Sequence, residues 1–170
     1  MRRPPPAGVA LRIVAVDGPG GAGKSAAAER LATALGGAQI VHTDDFASWD
    51  DPVDWWPRLV TDVLEPLARG EAARFRPTSW SGEARAMVEI RPGGVVVLEG
   101  VTASREAFRP FLAFAIWIET PRAVRLLRGL ERDGEEARGL WERWMAAEDE
   151  YVERERPAER ADLVVSGHDP

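Results

Sequence analysis

The feature that most constrains the fold is a glycine-rich run at residues 18–25, with the sequence GPGGAGKS. It matches the pattern G-x-x-x-x-G-K-[ST] at every fixed position. An apolar, β-branched run at residues 9–16 precedes it, and an alanine-rich stretch at residues 24–35 follows it. This context predicts a buried strand, a tight turn and a helix, in that order. Such a unit is typical of α/β proteins that bind a phosphate group.

The residue types in this run suit an anion. Glycines allow backbone N–H groups to turn inward around phosphate oxygens, and the start of the following helix adds its positive dipole end. We expect Lys24, the only lysine of the chain, to reach the β- and γ-phosphates of ATP, and Ser25 to place its hydroxyl on Mg²⁺. The residues predicted to bind the nucleotide in this loop are Gly18, Gly20, Gly21, Ala22, Gly23, Lys24 and Ser25.

The rest of the chain alternates between apolar strands and helices. Further strands are predicted at residues 39–42, 95–98, 114–119 and 162–165, an exposed strand pair at 72–75 and 86–90, and helices at 54–69, 121–133 and 135–156. This alternation predicts a parallel sheet flanked by helices. The length of 170 residues fits a single domain over residues 9–170, after a disordered tail over residues 1–8.

Composition narrows the classes of partner. A net charge of −6 argues against nucleic acid bound by broad electrostatics, so we expect basic side chains to act locally on small anions. The absence of cysteine excludes disulfides and thiolate metal sites, and it fits a cytoplasmic protein. No apolar run approaches the roughly 18 residues that a membrane span needs. The oligomeric state is left open.

Acidic residues follow three of the predicted strands, where ligands of open α/β sheets bind. Asp44 is the candidate general base for an acceptor hydroxyl, and Glu99 is a candidate for holding a magnesium-bound water. Asp17 is expected to stabilise the loop itself. The alternatives are that Asp44 and Asp45 cap a helix or form a solvated turn, and that Glu99 has no role.

Several motifs together resemble the uridine kinase-like branch of P-loop kinases. The matching segments are residues 16–25, 42–46, 49–52, 98–100, 125–133 and 161–165. The resemblance implies a P-loop NTPase fold with a five-stranded parallel sheet, a lid and a small β-hairpin. It implies transfer of the γ-phosphate of ATP to a small-molecule hydroxyl, with Asp44 as base and Asp50 on sugar hydroxyls. Nucleoside kinases of this type resemble Tyr-Asp-Phe followed by a histidine; residues 78–83 lack the aromatic at the first position and the histidine, so the resemblance does not name uridine or cytidine as the acceptor.

Arg125, Arg128 and Arg132 recur every three or four residues, which places them on one face of a helix. Three guanidinium groups on one face suit a triphosphate. We expect a lid in which Arg125 and Arg128 bind the nucleotide, Arg128 and Arg132 assist transfer, and Arg132 also meets the substrate. Gly129 and Gly134 would let the lid move. The alternative is a solvated face paired with glutamates, namely Glu131, Glu135 and Glu136.

The aromatic residues divide into two groups. Trp141 and Trp144 share a helical face with other apolar residues, which predicts core packing. Trp80 falls close to the presumed acceptor, where its ring could stack on a substrate. His42 directly precedes the proposed base and is interpreted as structural, with substrate contact as the alternative.

Two other functions fit the same sequence. One is a nucleoside monophosphate kinase, whose acceptor phosphate would be held by arginines of the predicted strand pair, namely Arg74, Arg76 and Arg85. The other is a nucleotide-binding switch protein that uses ATP without phosphorylating a small molecule.

Overall fold

The computed structural model describes residues 11–48, 50–51, 53–79 and 83–168. Within these ranges the strands are β1 (Leu11–Asp17), β2 (Gln39–His42), β3 (Ala73–Phe75), β4 (Val88–Ile90), β5 (Gly94–Glu99), β6 (Leu112–Glu119) and β7 (Leu163–Ser166). Five of them form one sheet in the order β2-β5-β1-β6-β7, in which every neighbouring pair is parallel. β3 and β4 form a separate antiparallel pair. The predicted α/β fold with a five-stranded parallel sheet is confirmed.

Helices surround this sheet. They are α1 (Lys24–Ala34), α2 (Trp56–Leu59), α3 (Glu65–Ala68), α4 (Arg122–Asp133), α5 (Arg138–Glu155) and α6 (Pro157–Arg160). Short 3₁₀ turns occupy Thr43–Asp45, Glu106–Phe111 and Glu135–Ala137. Within the described part of the chain, no helix combines the length and apolar character needed to cross a membrane. The predicted tail at residues 1–8 lies outside the described residues.

The central position of β1 follows from its composition. Its odd-numbered residues, Leu11, Ile13 and Ala15, face a core that also contains Val96 and Leu98 of β5. Val16 faces the opposite side, where it packs with small alanines of α1 and with other apolar residues, namely Ala28, Ala32, Val97 and Ile118. A strand that is apolar on both faces is stable only between other strands with helices above and below.

The predicted helix at 54–69 is corrected in one respect. The structure has α2 and α3 joined by a π-helical turn over Val60–Leu64. Pro66 lies just after this turn, and it offers no N–H for the regular helical hydrogen bond. A wider turn at such a position is a common way to continue the helix past the missing donor.

The strand order fixes where a ligand can bind. After β1 the chain passes through α1 to β2, which lies beyond β5, whereas β6 lies on the other side of β1. The register aligns Val16 of β1 and His42 of β2 with Glu99 of β5. The carboxyl ends of these three strands therefore meet at one edge, next to the point where the strand order reverses.

Candidate active site

The glycine-rich loop connects β1 to α1 as a compact turn. Gly21 and Gly23 have φ angles of 74° and 96°, which favour glycine, and Gly23 is the residue that caps α1. A Cβ on Gly21 would lie 2.6 Å from the carbonyl oxygen of Arg125, so the loop approaches α4 closely. The Lys24 ammonium donates a hydrogen bond to the Pro19 carbonyl at 2.9 Å, which holds it across the loop. The loop therefore has the shape of an anion nest at a helix start.

Asp17 lies beneath this loop and is fully buried. Its carboxylate accepts hydrogen bonds from the Gly18 N–H at 2.7 Å, from the Ser104 N–H and hydroxyl at 2.9 and 2.6 Å, and from the Tyr151 hydroxyl at 2.8 Å. Burial raises the pKa of Asp17, and these donors oppose the rise. The side chain thus ties the loop to two other segments, in agreement with its predicted role.

Ser25 and Glu99 meet at the start of α1. The Ser25 hydroxyl donates to Glu99 Oε1 at 3.3 Å, and Glu99 Oε2 lies 2.7 Å from Nδ1 of His42. The hydrogen bond to Glu99 is the main reason that the pKa of His42 is raised. A hydroxyl and a carboxylate are oxygen ligands of the kind that Mg²⁺ prefers. Among the described residues, no group of three or more acidic or histidine side chains could hold a metal ion.

Asp44 lies in the turn after β2 and lines a cavity of about 520 Å³ together with Lys24, Ser25 and Glu99. The carboxyl is open to water in the cavity but is crowded by surrounding protein, and this desolvation is the main cause of its raised pKa. The charge of Glu99 also raises the pKa, whereas Lys24 and Arg132 lower it. Asp44 therefore faces the loop across a shared space.

Its neighbour Asp45 has a different environment. The Asp45 carboxylate pairs with Arg85 at 2.6 Å, and its backbone carbonyl accepts the Thr78 N–H. The turn itself is pressed against the end of β5, because a Cβ on Gly100 would collide with the Thr43 hydroxyl. The 3₁₀ turn therefore directs Asp44 toward the cavity and Asp45 toward Thr78 and Arg85.

The structure brings two of the three predicted lid arginines to the cavity. Arg128 lines it and donates to the backbone carbonyls of Gly21 and Gly167 at 3.3 and 3.0 Å. Arg132 also lines it and forms two hydrogen bonds of 2.8 Å to Asp133. The predicted alternative partners differ from those observed, since Arg132 pairs with Asp133 and Glu135 pairs with Arg138.

Arg125 lies elsewhere than predicted. It is only 5% exposed, and its guanidinium donates to Glu148 Oε2 and to the Thr120 carbonyl, each at 3.1 Å. Desolvation lowers its pKa, and the Glu148 carboxylate opposes this effect. Arg125 points beneath the loop instead of into the cavity, so a direct contact with a nucleotide would require this buried pair to break.

Sequence reasoning did not identify Glu148. Its Oε1 atom accepts hydrogen bonds from the Gly20 N–H at 2.7 Å and from the Trp144 indole at 2.6 Å. The signal was present, because a 3.6-residue period places residue 148 on the apolar face of α5 with Trp144 and Tyr151. A carboxylate on such a face needs a partner.

Trp141 and Trp144 are buried as predicted, but they also line the cavity. The Trp141 indole N–H donates to Asp133 at 3.0 Å, so its ring carbons form the wall. Gly129 packs directly against this ring, because a Cβ there would lie 2.6 Å from Cζ2. Gly129 therefore permits a close helix contact, which differs from the predicted hinge role.

The remaining predicted substrate contacts are Asp50 and Trp80. Asp50 is exposed and is absent from the cavity lining that the described residues form. Trp80 lies outside the described residues. Both stay predictions.

The fold and the loop together define a class of protein. A parallel five-stranded sheet carries a phosphate-type loop at the end of its central strand, and the chain therefore has the fold of a P-loop kinase. Within that class it is similar to uridine kinases. The uridine kinase of Halobacterium salinarum is 25% identical over 179 residues, which cover 89% of this chain and 78% of that protein.

Other comparisons are less informative about activity. No protein-family profile matches the sequence. The inorganic pyrophosphatase TTM2 of Arabidopsis thaliana is 24% identical over 139 residues, which cover 73% of this chain but only 21% of that protein.

Two solved structures share the fold. A possible uridine kinase from Bacillus stearothermophilus gives a TM-score of 0.69 at 20% identity, covering 91% of this chain and 88% of that one. A candidate fructose transport system kinase from Silicibacter sp. TM1040 gives a TM-score of 0.70 at 20% identity, covering 91% and 89%. The resemblance to uridine kinase-like P-loop kinases is confirmed, and the relatives support an ATP-dependent kinase in general without naming its acceptor.

Proposed function

We propose that this protein transfers the γ-phosphate of ATP to a hydroxyl group of a small molecule. The observation that carries the proposal is that Asp44 and Lys24 line one cavity and lie close enough for the Lys24 charge to lower the pKa of Asp44. A phosphate ligand and a proton acceptor then face the same space. Phosphoryl transfer needs this arrangement, since it depends on positioning and charge more than on covalent chemistry.

The donor half of the cavity fits a nucleoside triphosphate. Gly18 and Gly21 of the loop lie where a Cβ would meet backbone oxygens at 2.5 and 2.6 Å, and Gly23 caps the start of α1. Lys24, Arg128 and Arg132 add positive charge along the cavity wall. When bound, Mg²⁺ would neutralise phosphate charge, with Ser25 as a ligand and Glu99 holding one of its waters.

The acceptor half of the cavity contains a group that can activate a hydroxyl. The crowded Asp44 carboxylate would orient that hydroxyl toward the phosphate and take its proton. The carbon faces of Trp141 and Trp144 would form an apolar wall next to it. Asp50 and Trp80 are proposed as further acceptor contacts on the basis of the family resemblance. The cytoplasmic location likewise stays a prediction.

The decisive experiment compares Asp44→Asn with Asp45→Asn. An ADP-release assay on nucleosides, nucleotides, sugars and antibiotics would first identify an acceptor for the unmodified protein. Asp44→Asn should then bind ATP normally but lose about 10²–10⁴-fold in turnover, because a positioned base contributes on that order. Asp45→Asn is the matched control, because Asp45 pairs with Arg85 away from the cavity, and it should retain most turnover. Full turnover by Asp44→Asn would remove Asp44 as the base.

The structure offers little support for a nucleoside monophosphate as the acceptor. The arginines proposed to hold its phosphate already have partners. Arg74 pairs with Glu89, Arg85 pairs with Asp45, and Arg76 donates to the Arg85 carbonyl. An uncharged acceptor therefore fits better. ATP hydrolysis that is stimulated by a protein and by no metabolite would instead favour a nucleotide-binding switch.

A further inference from the structure

Helix α5 contacts the underside of the glycine-rich loop through two side chains one turn apart. The Tyr151 hydroxyl binds Asp17, whose other oxygen accepts the Gly18 N–H. Glu148 reaches further along the loop and accepts the Gly20 N–H directly at 2.7 Å. The first half of the loop is therefore attached to α5 directly at Gly20 and, through Asp17, at Gly18.

The Glu148 carboxylate is in an environment that is costly for a charge. It is 1% exposed, and burial raises its pKa. The surrounding groups offset this cost, because Oε1 accepts from Gly20 and Trp144 while Oε2 accepts from the Arg125 guanidinium. Lys24 adds a favourable charge from the loop side. A buried carboxylate persists only with such complete pairing.

Gly20 is held at close range. A Cβ on Gly20 would lie 2.9 Å from Glu148 Oε1 and 3.1 Å from the Trp141 ring, so only glycine allows the carboxylate to approach the backbone this far. Gly20 also lines the cavity. The direction of its N–H therefore determines how the peptide groups that follow it are presented to the cavity.

We infer that Glu148 is a positioning residue, which fixes the peptide of Gly20 so that the following loop N–H groups already converge on an anion before a nucleotide binds. Arg125 is the counter-ion of Glu148 and acts on the nucleotide only through it. The inference rests on the proposed nucleotide binding at this loop. Glu148 lies in α5, outside the glycine-rich motif at residues 18–25.

The test uses two double variants that both lack the buried ion pair. Arg125→Met/Glu148→Gln keeps a carbonyl oxygen for Gly20 and Trp144, whereas Arg125→Met/Glu148→Met removes it. Calorimetric titration with Mg²⁺ and the non-hydrolysable analogue AMP-PNP should show at least tenfold tighter binding by the glutamine variant. At saturating ATP the two double variants should have similar turnover, because the substitution to methionine weakens nucleotide binding by the loop and leaves the transfer step unchanged. Equal affinities in the two variants would overturn the inference.

A second measurement uses the unmodified protein, so it does not depend on whether a variant folds. Amide hydrogen exchange without nucleotide should show Gly20 protected to a degree similar to the amides of α5. Exchange of Gly20 as fast as that of an exposed loop would contradict the inference. A lack of AMP-PNP binding by the unmodified protein would overturn the proposed function and the inference that rests on it. Normal binding by the unmodified protein, together with equal affinities in the two double variants, would overturn the inference alone.

Discussion

The contact between Gly129 of α4 and Trp141 of α5 predicts the result of one methyl addition. In Gly129→Ala the new Cβ would lie 2.6 and 2.7 Å from Cζ2 and Cδ2 of the indole, and closer still to a third ring carbon. The ring cannot move freely, because Trp141 is buried and its N–H is bound to Asp133 at 3.0 Å. Overpacking of this kind costs about 2–3 kcal/mol, within the range known for filled cores.

Alanine also favours a helix over glycine by about 1 kcal/mol, which partly offsets the clash. We therefore expect Gly129→Ala to lose about 1–2 kcal/mol of unfolding free energy, or about 3–6 °C in Tm for a chain of this size. The control is Gly139→Ala in α5, where only the flexible Arg143 guanidinium lies near the new Cβ, at 3.7 Å.

The control should gain up to about 1 kcal/mol from helix propensity alone. Thermal and urea unfolding would measure both variants under identical conditions. Turnover should fall only in Gly129→Ala, because Trp141 lines the cavity. A Gly129→Ala variant as stable as the control would refute the reasoning.

Two further predictions concern the charges of the cavity. Lys24→Ala should reduce phosphoryl transfer by about 10²–10³-fold or more, since it removes a donor aimed at the phosphates, and unchanged turnover in the ADP-release assay would contradict the loop assignment. For Asp44, the base acts deprotonated, so kcat/KM should fall as pH drops through its pKa, at a pH above the ordinary 3.8 because desolvation raises that pKa. Arg132 lowers the same pKa, so Arg132→Gln should move the acid limb to still higher pH. An acid limb that stays at the same pH would show that Arg132 does not lower the pKa of Asp44.

Local patterns were sufficient to predict the sheet and the loop. The strands of the sheet are short apolar runs, most of them rich in β-branched residues, so the local sequence alone predicts them. The loop motif fixes its backbone conformation through its own glycines. The acidic residues at strand ends could be brought together because parallel strands share one carboxyl edge. That rule places Asp44 and Glu99 beside Lys24 without any knowledge of packing.

The predictions for Arg125 and Trp141 differ from the structure because both residues lie where α4 and α5 meet. Arg125 and Arg132 share a helix face, but seven residues separate them by about 10 Å along the axis. This distance puts Arg125 beneath the loop next to Glu148 and Arg132 over the cavity. Helical periodicity also cannot distinguish a core residue from a cavity wall, which is why the second role of Trp141 was not foreseen.

Lys24 is the one side chain of this sequence that an amine-reactive reagent can label. Every other basic side chain among the 22 is a guanidinium, which does not react with mild acylating reagents, so the chain has one side-chain amine. That amine is only 8% exposed and is held on the Pro19 carbonyl. An amine-reactive label therefore modifies one side chain, Lys24, and mass spectrometry separates this product from labelling of the α-amino group. The rate of Lys24 labelling would then report whether a ligand occupies the loop.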